Sequence, residues 1–169
     1  MSHLAQVNIA RLRAPLDSPQ LADFVGALDP VNAAAEAAPG FIWRLQTEEG
    51  NATAVRAFEW DAGGSVGVIV NMSVWASVEA LAAFVYSDRH RAVLRRRREW
   101  FERMEPAQTA LWWIAPGTVP STAQAEDRLR FLRAHGPTPR AFTLRVHFPP
   151  PEAASDEPHA GREDWMCPA

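Results

Sequence analysis

Residues 4–11 alternate, with Ala5, Val7 and Ile9 on one side and Gln6 and Asn8 on the other. That two-residue period is the pattern of a strand with distinct faces, and it decides which side chains must travel together. The pattern returns at 41–47, where Phe41, Trp43 and Leu45 oppose Ile42, Arg44 and Gln46, and again at 141–148. A turn of Glu48, Glu49, Gly50 and Asn51 leads into 52–59, so 41–47 and 52–59 read as a hairpin. Residues 66–74 form a strongly apolar strand, with Asn71 and Ser73 projecting to the same side as Ile69 and Trp75.

Helical spacing fills the intervals. Ser18 and Pro19 offer a cap and a proline at the first helical position, and Leu21, Phe24, Val25 and Leu28 recur at the period of a helix. Pro30 is expected to kink or divide that helix. Ser77 caps a second helix with a stripe of Val78, Leu81, Ala82 and Val85, broken at Ser87 and Asp88. A further helix is expected over 88–104, then a strand over 109–115. A helix follows from Ser121 and closes at His135, Gly136 and Pro137. The resulting order is strand, helix, three strands, broken helix, strand, helix, strand. It specifies an α+β fold with a ferredoxin-like antiparallel sheet and helices on one face, as one domain over 1–150. Residues 151–169 form a tail rich in Pro and acidic residues, expected to be flexible.

With the set Ala5, Val7 and Ile9 against the helices, the other face gathers Gln6, Asn8, Arg44, Arg56, Asn71, Ser73 and Arg145. Trp75, Phe58 and Trp112 are expected to share it, and such rings need cover. Two chains stacking these faces would enclose an apolar cavity with a few convergent polar groups, the usual form of a small-ligand site. In the helix over 88–104, Val93, Leu94, Trp100, Phe101 and Met104 make the apolar stripe, and His90 and Arg97 fall within it. Arg97 there needs a buried carboxylate, backbone carbonyls or a ligand anion. His90 reads either as a satisfied structural histidine or as a functional one.

Several function classes are excluded on the way. All 17 basic residues other than His are Arg, yet the net charge is −3, and Arg95, Arg96 and Arg98 point in different directions from Arg97. A nucleic-acid partner is therefore not expected. No segment is long and apolar enough for a membrane span, no Cys/His spacing specifies a metal site, and Cys167 is the sole cysteine. These features, with no apolar leader in the first fifteen residues, point to a cytoplasmic protein. Gly63-Gly64-Ser65-Val66-Gly67 matches a hydrolase elbow in letters, but a turn precedes it and a strand follows.

Asn71-Met72-Ser73-Val74-Trp75-Ala76-Ser77, Leu81 and Ser87-Asp88-Arg89-His90 resemble the antibiotic-biosynthesis-monooxygenase type of dimeric α/β barrel. The segments 4–11, 40–46, 98–101, 111–113 and 135–138 are similar to the bacterial domain-of-unknown-function 3291 family. The resemblance implies a homodimeric α/β barrel that binds a small molecule. Its leading functional implication is a monooxygenase-like enzyme that needs no cofactor and acts on an aromatic or polyketide-like substrate. Asn71, Arg97 and Asn8 would then orient substrate or stabilise an oxyanion, Trp75 and Trp43 would stack on the ring, and His90 would carry a proton. Arg44 and Arg145 join them as substrate-binding candidates. Heme-degrading relatives are typified by an Asn, a Trp and a His in the order of Asn8, Trp75 and His90, although the separation of Trp75 from His90 departs from their pattern. Heme binding through His90 is thus the alternative. A non-catalytic ligand-binding or dimerisation module is the third.

Overall fold

The computed structural model describes residues 1–104 and 106–151. The expected tail, beyond Pro151, lies outside the described residues. Strand β1 (His3–Arg11) runs through the middle of the sheet, where Leu4, Ala5, Val7 and Ile9 are all fully buried. It pairs antiparallel with β3 (Val68–Trp75) on one side and β4 (Thr109–Ile114) on the other. With β2 (Phe41–Arg44) at the edge, the four-stranded order is β2-β3-β1-β4. The α+β class and the antiparallel sheet are as the alternation requires.

Four helices surround it: α1 (Ala22–Glu36), α2 (Val78–Val85), α3 (Asp88–Trp100) and α4 (Thr122–His135). Ser77 Oγ accepts from the Ala80 N–H at the start of α2, and Ser121 with Gln124 completes a capping box on α4. Helix α1 continues through Pro30, contrary to expectation. One lost ladder bond is offset where Phe24 and Ala35 bury the helix against the body. Helix α3 stops at Trp100, short of Met104, because Phe101 takes extended geometry and bridges to Leu12. The Glu102 N–H donates to the Arg11 carbonyl at 2.9 Å, so backbone pairing displaces the last helical turn.

Two expected strands are absent among the described residues. Segment 52–59 is a series of turns, begun where Asn51 Oδ1 accepts from the Thr53 N–H and hydroxyl. This local bonding competes with a ladder. Strand β2 pairs with β3 and not with 52–59, so the expected hairpin is absent. Segment 141–148 pairs its backbone with β4 at the Leu111–Phe142 bridge, then turns on itself where Thr143 N–H donates to the Val146 carbonyl. It is met again by Trp113, whose indole donates to the Phe148 carbonyl.

The layers also differ from expectation. Ala5, Val7, Ile9, Met72 and Trp112 pack with Ala57, Phe58 and the α4 residues Ala125, Leu129 and Leu132. On the opposite face Leu4 and Trp75 pack with Ala35, Val78 and Leu81 from α1 and α2. The polar set of β1 and β3 therefore lies beneath the chain's own helices, while α4 and 55–58 cover the apolar set. Phe58 and Trp112 sit with the apolar set, away from Trp75. Gly40 fixes the approach of β2 to α2: its φ is +82°, and a Cβ there would lie 2.6 Å from the Ala80 Cβ. Among the described residues no helix is long and apolar enough to cross a membrane.

Candidate functional site

Alternation places Gln6 and Asn8 of β1 on the same face as Asn71 and Ser73 of β3. The register then sets Gln6 opposite Ser73 and Asn8 opposite Asn71, with Thr109 of β4 on the far side of Asn8. These groups floor a cavity of about 370 Å³. Its walls are apolar: Phe24, Leu28 and Val31 from α1, Leu81, Phe84 and Val85 from α2, and Val93 and Leu94 from α3. Apolar walls around a few polar groups suit a small organic molecule.

The floor is internally bonded. Asn8 Nδ2 donates to Thr109 Oγ1 at 2.6 Å. Trp75 Nε1 donates to Ser73 Oγ at 2.9 Å, and Ser73 Oγ donates to Gln6 Oε1 at 2.7 Å. The Trp75 ring is held by Phe41 edge-on at 5.4 Å and by Phe84 stacked at 5.3 Å. Phe84 in turn lies 5.0 Å from the His90 ring, so an aromatic row links the strand to α3.

His90 lines this cavity. Its Nδ1 is 3.0 Å from the Val85 carbonyl, which can only accept, so Nδ1 carries the proton and Nε2 keeps its lone pair. Burial pushes the imidazole pKa down, outweighing the Val85 bond that pushes it up, and the ring is neutral at pH 7.

Arg97 also lines the cavity, but it is exposed and has no ion pair or hydrogen bond among the described residues. Arg44 reaches the cavity too, with its Nε donating to Glu36 at 2.7 Å. The buried carboxylate that Arg97 was expected to need exists elsewhere. Asp61, 6% exposed, receives Arg133 and Arg11. Desolvation raises the Asp61 pKa, but the hydrogen bonds and charge of Arg133 and Arg11 prevail and hold it below the ordinary value.

Of the residues singled out from sequence, His90, Arg97, Asn71, Asn8, Arg44 and Trp75 meet at this one cavity. Trp43 does not: a register shift between Phe41 and Trp43 turns it to the opposite face, against the cluster around Val7 and Trp112. Arg145 does not either, and stands exposed in the turn after Phe142. Nor does the cavity require two stacked sheets, since one chain's helices close it. Thr109 and Phe84 are cavity residues that sequence reasoning did not select, and Gln6 and Ser73 were placed on the polar face without a role. The signal for the latter two was the polar i, i+2 pairs Gln6/Asn8 and Asn71/Ser73 on otherwise apolar strands. Among the described residues no group of three or more His, Cys, Asp or Glu side chains could hold a metal ion.

No curated protein matches this chain. Among solved structures it is similar to Rv0793 of Mycobacterium tuberculosis, at 16% identity, covering 71% of this chain and 100% of that one, with a TM-score of 0.44. NE2512 of Nitrosomonas europaea, a protein of unknown function, is 15% identical over 72% of this chain and 97% of its own, at 0.44. A Chloroflexus aurantiacus protein provisionally described as an antibiotic biosynthesis monooxygenase is 14% identical over 72% and 99%, at 0.36. Alignments this loose say nothing of chemistry. The family match is of a different order, for the pattern of the domain of unknown function DUF3291 runs through residues 3–158, and the chain belongs to that family.

Proposed function

We propose that this protein binds a small, flat, largely apolar molecule in the cavity between its sheet and α1–α3. The observation that carries the reading is the polar pair of Gln6 and Ser73, buried on the floor of an apolar-walled cavity, with half-buried Asn8 and exposed Asn71 beside them. Though bonded to one another, amides set in an apolar chamber keep donor and acceptor positions that a ligand can meet. Phe84 offers a ring surface backed by the buried Trp75, and Arg97 offers a charge with no side-chain partner among the described residues.

The chemistry we attach to this site is oxidation of an aromatic, polyketide-like substrate without a cofactor. Neutral His90 supplies a lone pair on Nε2 that can take a proton from an acidic ring position. Arg97, seven residues on and so about 10 Å along the same helix, with Asn71 from the floor, would face the oxyanion that results. Dioxygen is the oxidant: a ring methylene becomes a carbonyl, one oxygen atom staying and the other leaving as water with the two hydrogens. Binding without turnover would instead leave a ligand-binding module. A homodimer remains part of the proposal, though one chain walls the cavity, and light scattering at micromolar concentration reads its presence.

The first test is saturable binding of the anionic fluorophore 8-anilinonaphthalene-1-sulfonate. One site per chain is expected, lost when Ala27→Trp fills the cavity and weakened by Arg97→Ala. Binding that ignores Ala27→Trp overturns the reading.

A second reading, heme held by His90, is favoured by one observation. The Nδ1–H fixed on the Val85 carbonyl orients the ring and frees Nε2, as in ligating histidines. His90 would hold the iron, and Arg97 suits a propionate. Bound heme would supply oxygen-activating redox chemistry. Hemin titration should then give a Soret shift that His90→Ala abolishes; no shift removes the idea.

A further inference from the structure

Gln6 and Ser73 stand opposite each other in the β1–β3 ladder and are 8% and 7% exposed. The chain of bonds that joins them has a direction. An indole N–H can only donate, and that of Trp75 occupies a lone pair of Ser73 Oγ. The serine's own proton goes to Gln6 Oε1. With its oxygen taken, the Gln6 amide presents Nε2 and its two hydrogens on the other side, and no described residue accepts from them. Trp75, 1% exposed between Phe41 and Phe84, cannot swing away to release the chain.

Asn8 provides the contrast. Its partner is a threonine hydroxyl, which donates or accepts equally well, so the Asn8 amide can turn either end to the cavity. Turning Gln6 would set its Nε2 on the serine's second lone pair and take the acceptor away from the serine's proton, so the direction Trp75 to Ser73 to Gln6 is the favoured one.

We infer that Gln6 is a specificity-determining residue, a donor held in a favoured direction that selects ligands carrying a carbonyl or phenolate oxygen above the β1–β3 ladder. Ser73 and Trp75 are its positioning residues. The inference rests on the proposal that the cavity holds a ligand, and it names the group that ligand must present. A buried donor left unmatched is costly, so a ligand with carbon at this point is penalised and one with an acceptor is not.

The experiment compares 9-fluorenone with fluorene, two flat molecules that differ in one carbonyl, by equilibrium dialysis against the full chain. The wild type should bind the ketone about fivefold or more tightly than the hydrocarbon. Gln6→Met, close in shape, should abolish the preference. Ser73→Ala, which frees the amide to rotate, should reduce it without abolishing hydrocarbon binding. Equal affinities in the wild type overturn the inference, as does a preference that survives both variants, while the cavity reading stands if Ala27→Trp removes both probes. Binding of neither probe, or binding that ignores Ala27→Trp, overturns the cavity reading and this inference with it.

Discussion

Arg133 closes a two-point pair on Asp61, with Nη1 2.8 Å from Oδ1 and Nη2 3.1 Å from Oδ2. Its Nε donates to the Ala107 carbonyl, and Arg11 Nη2 adds a third bond to Asp61 Oδ1 at 3.0 Å. Without Arg133 this buried carboxylate keeps Arg11 as its one side-chain partner among the described residues and loses both points of the paired contact. Arg133→Ala should therefore cost about 3 kcal/mol or more in urea unfolding. Because the folded Asp61 pKa lies below its ordinary value of 3.8, its stabilisation is complete above 3.8 and declines as pH falls through the lower folded value. Asp61→Asn should remove that part of the acid slope; an unchanged slope would show that Asp61 does not carry it.

Arg97 should behave in the opposite way. It is exposed and has no partner among the described residues, so Arg97→Ala should alter unfolding free energy by no more than about 0.5 kcal/mol. Loss of several kcal/mol would mean that Arg97 has a structural partner after all. Paired with Arg133→Ala, the measurement separates an arginine that holds the fold from one available to a ligand.

That contrast shows where sequence reasoning reaches and where it stops. The period of β1 assigns Gln6 and Asn8 to a different face from Ala5, Val7 and Ile9, and the structure agrees. Period says nothing of which face the helices take, since that depends on how far each connection must travel. Trp43 was assigned with Phe41 because alternation assumes an unbroken ladder, and one bulge reversed it. Arg97 was placed within the apolar stripe of α3 and in need of a carboxylate, backbone carbonyls or a ligand anion. It lines the cavity but is exposed, and the buried carboxylate belongs to Arg133 and Arg11. Those partners come together only by long-range packing. Segments 52–59 and 141–148 carry strand-like residues, yet local turns take up their backbone groups, and pairing is a property of two segments rather than one.

Gly40 gives a local test of how β2 meets α2. Its φ of +82° is strained for any residue with a Cβ, and that Cβ would overlap Ala80. Gly40→Ala should cost about 1–3 kcal/mol, read as a lower urea midpoint with unchanged m-value. Gly50 shares the φ of +82° but has open space around it, so Gly50→Ala should cost less. Equal costs would mean that backbone strain, and not the approach to Ala80, sets the penalty.

His90 offers the measurement that bears most directly on chemistry at the site. Burial among Phe84 and the helix ends disfavours the imidazolium, and the pKa falls below the ordinary 6.5 despite the opposing pull of the Val85 carbonyl. The unfolded chain then binds a proton near pH 6.5 that the folded chain refuses. Between 6.5 and the lower folded value, stability falls as the solution is acidified; above 6.5 the contribution is complete. Nuclear magnetic resonance titration of the His90 ring should give a midpoint below 6.5, and the neutral form should show the proton on Nδ1. His90→Gln should flatten the stability curve in that window, since glutamine does not titrate. A midpoint at or above 6.5 would show that burial does not govern the ring, and a proton found on Nε2 would remove the free Nε2 lone pair that both the proton-transfer and the heme readings require.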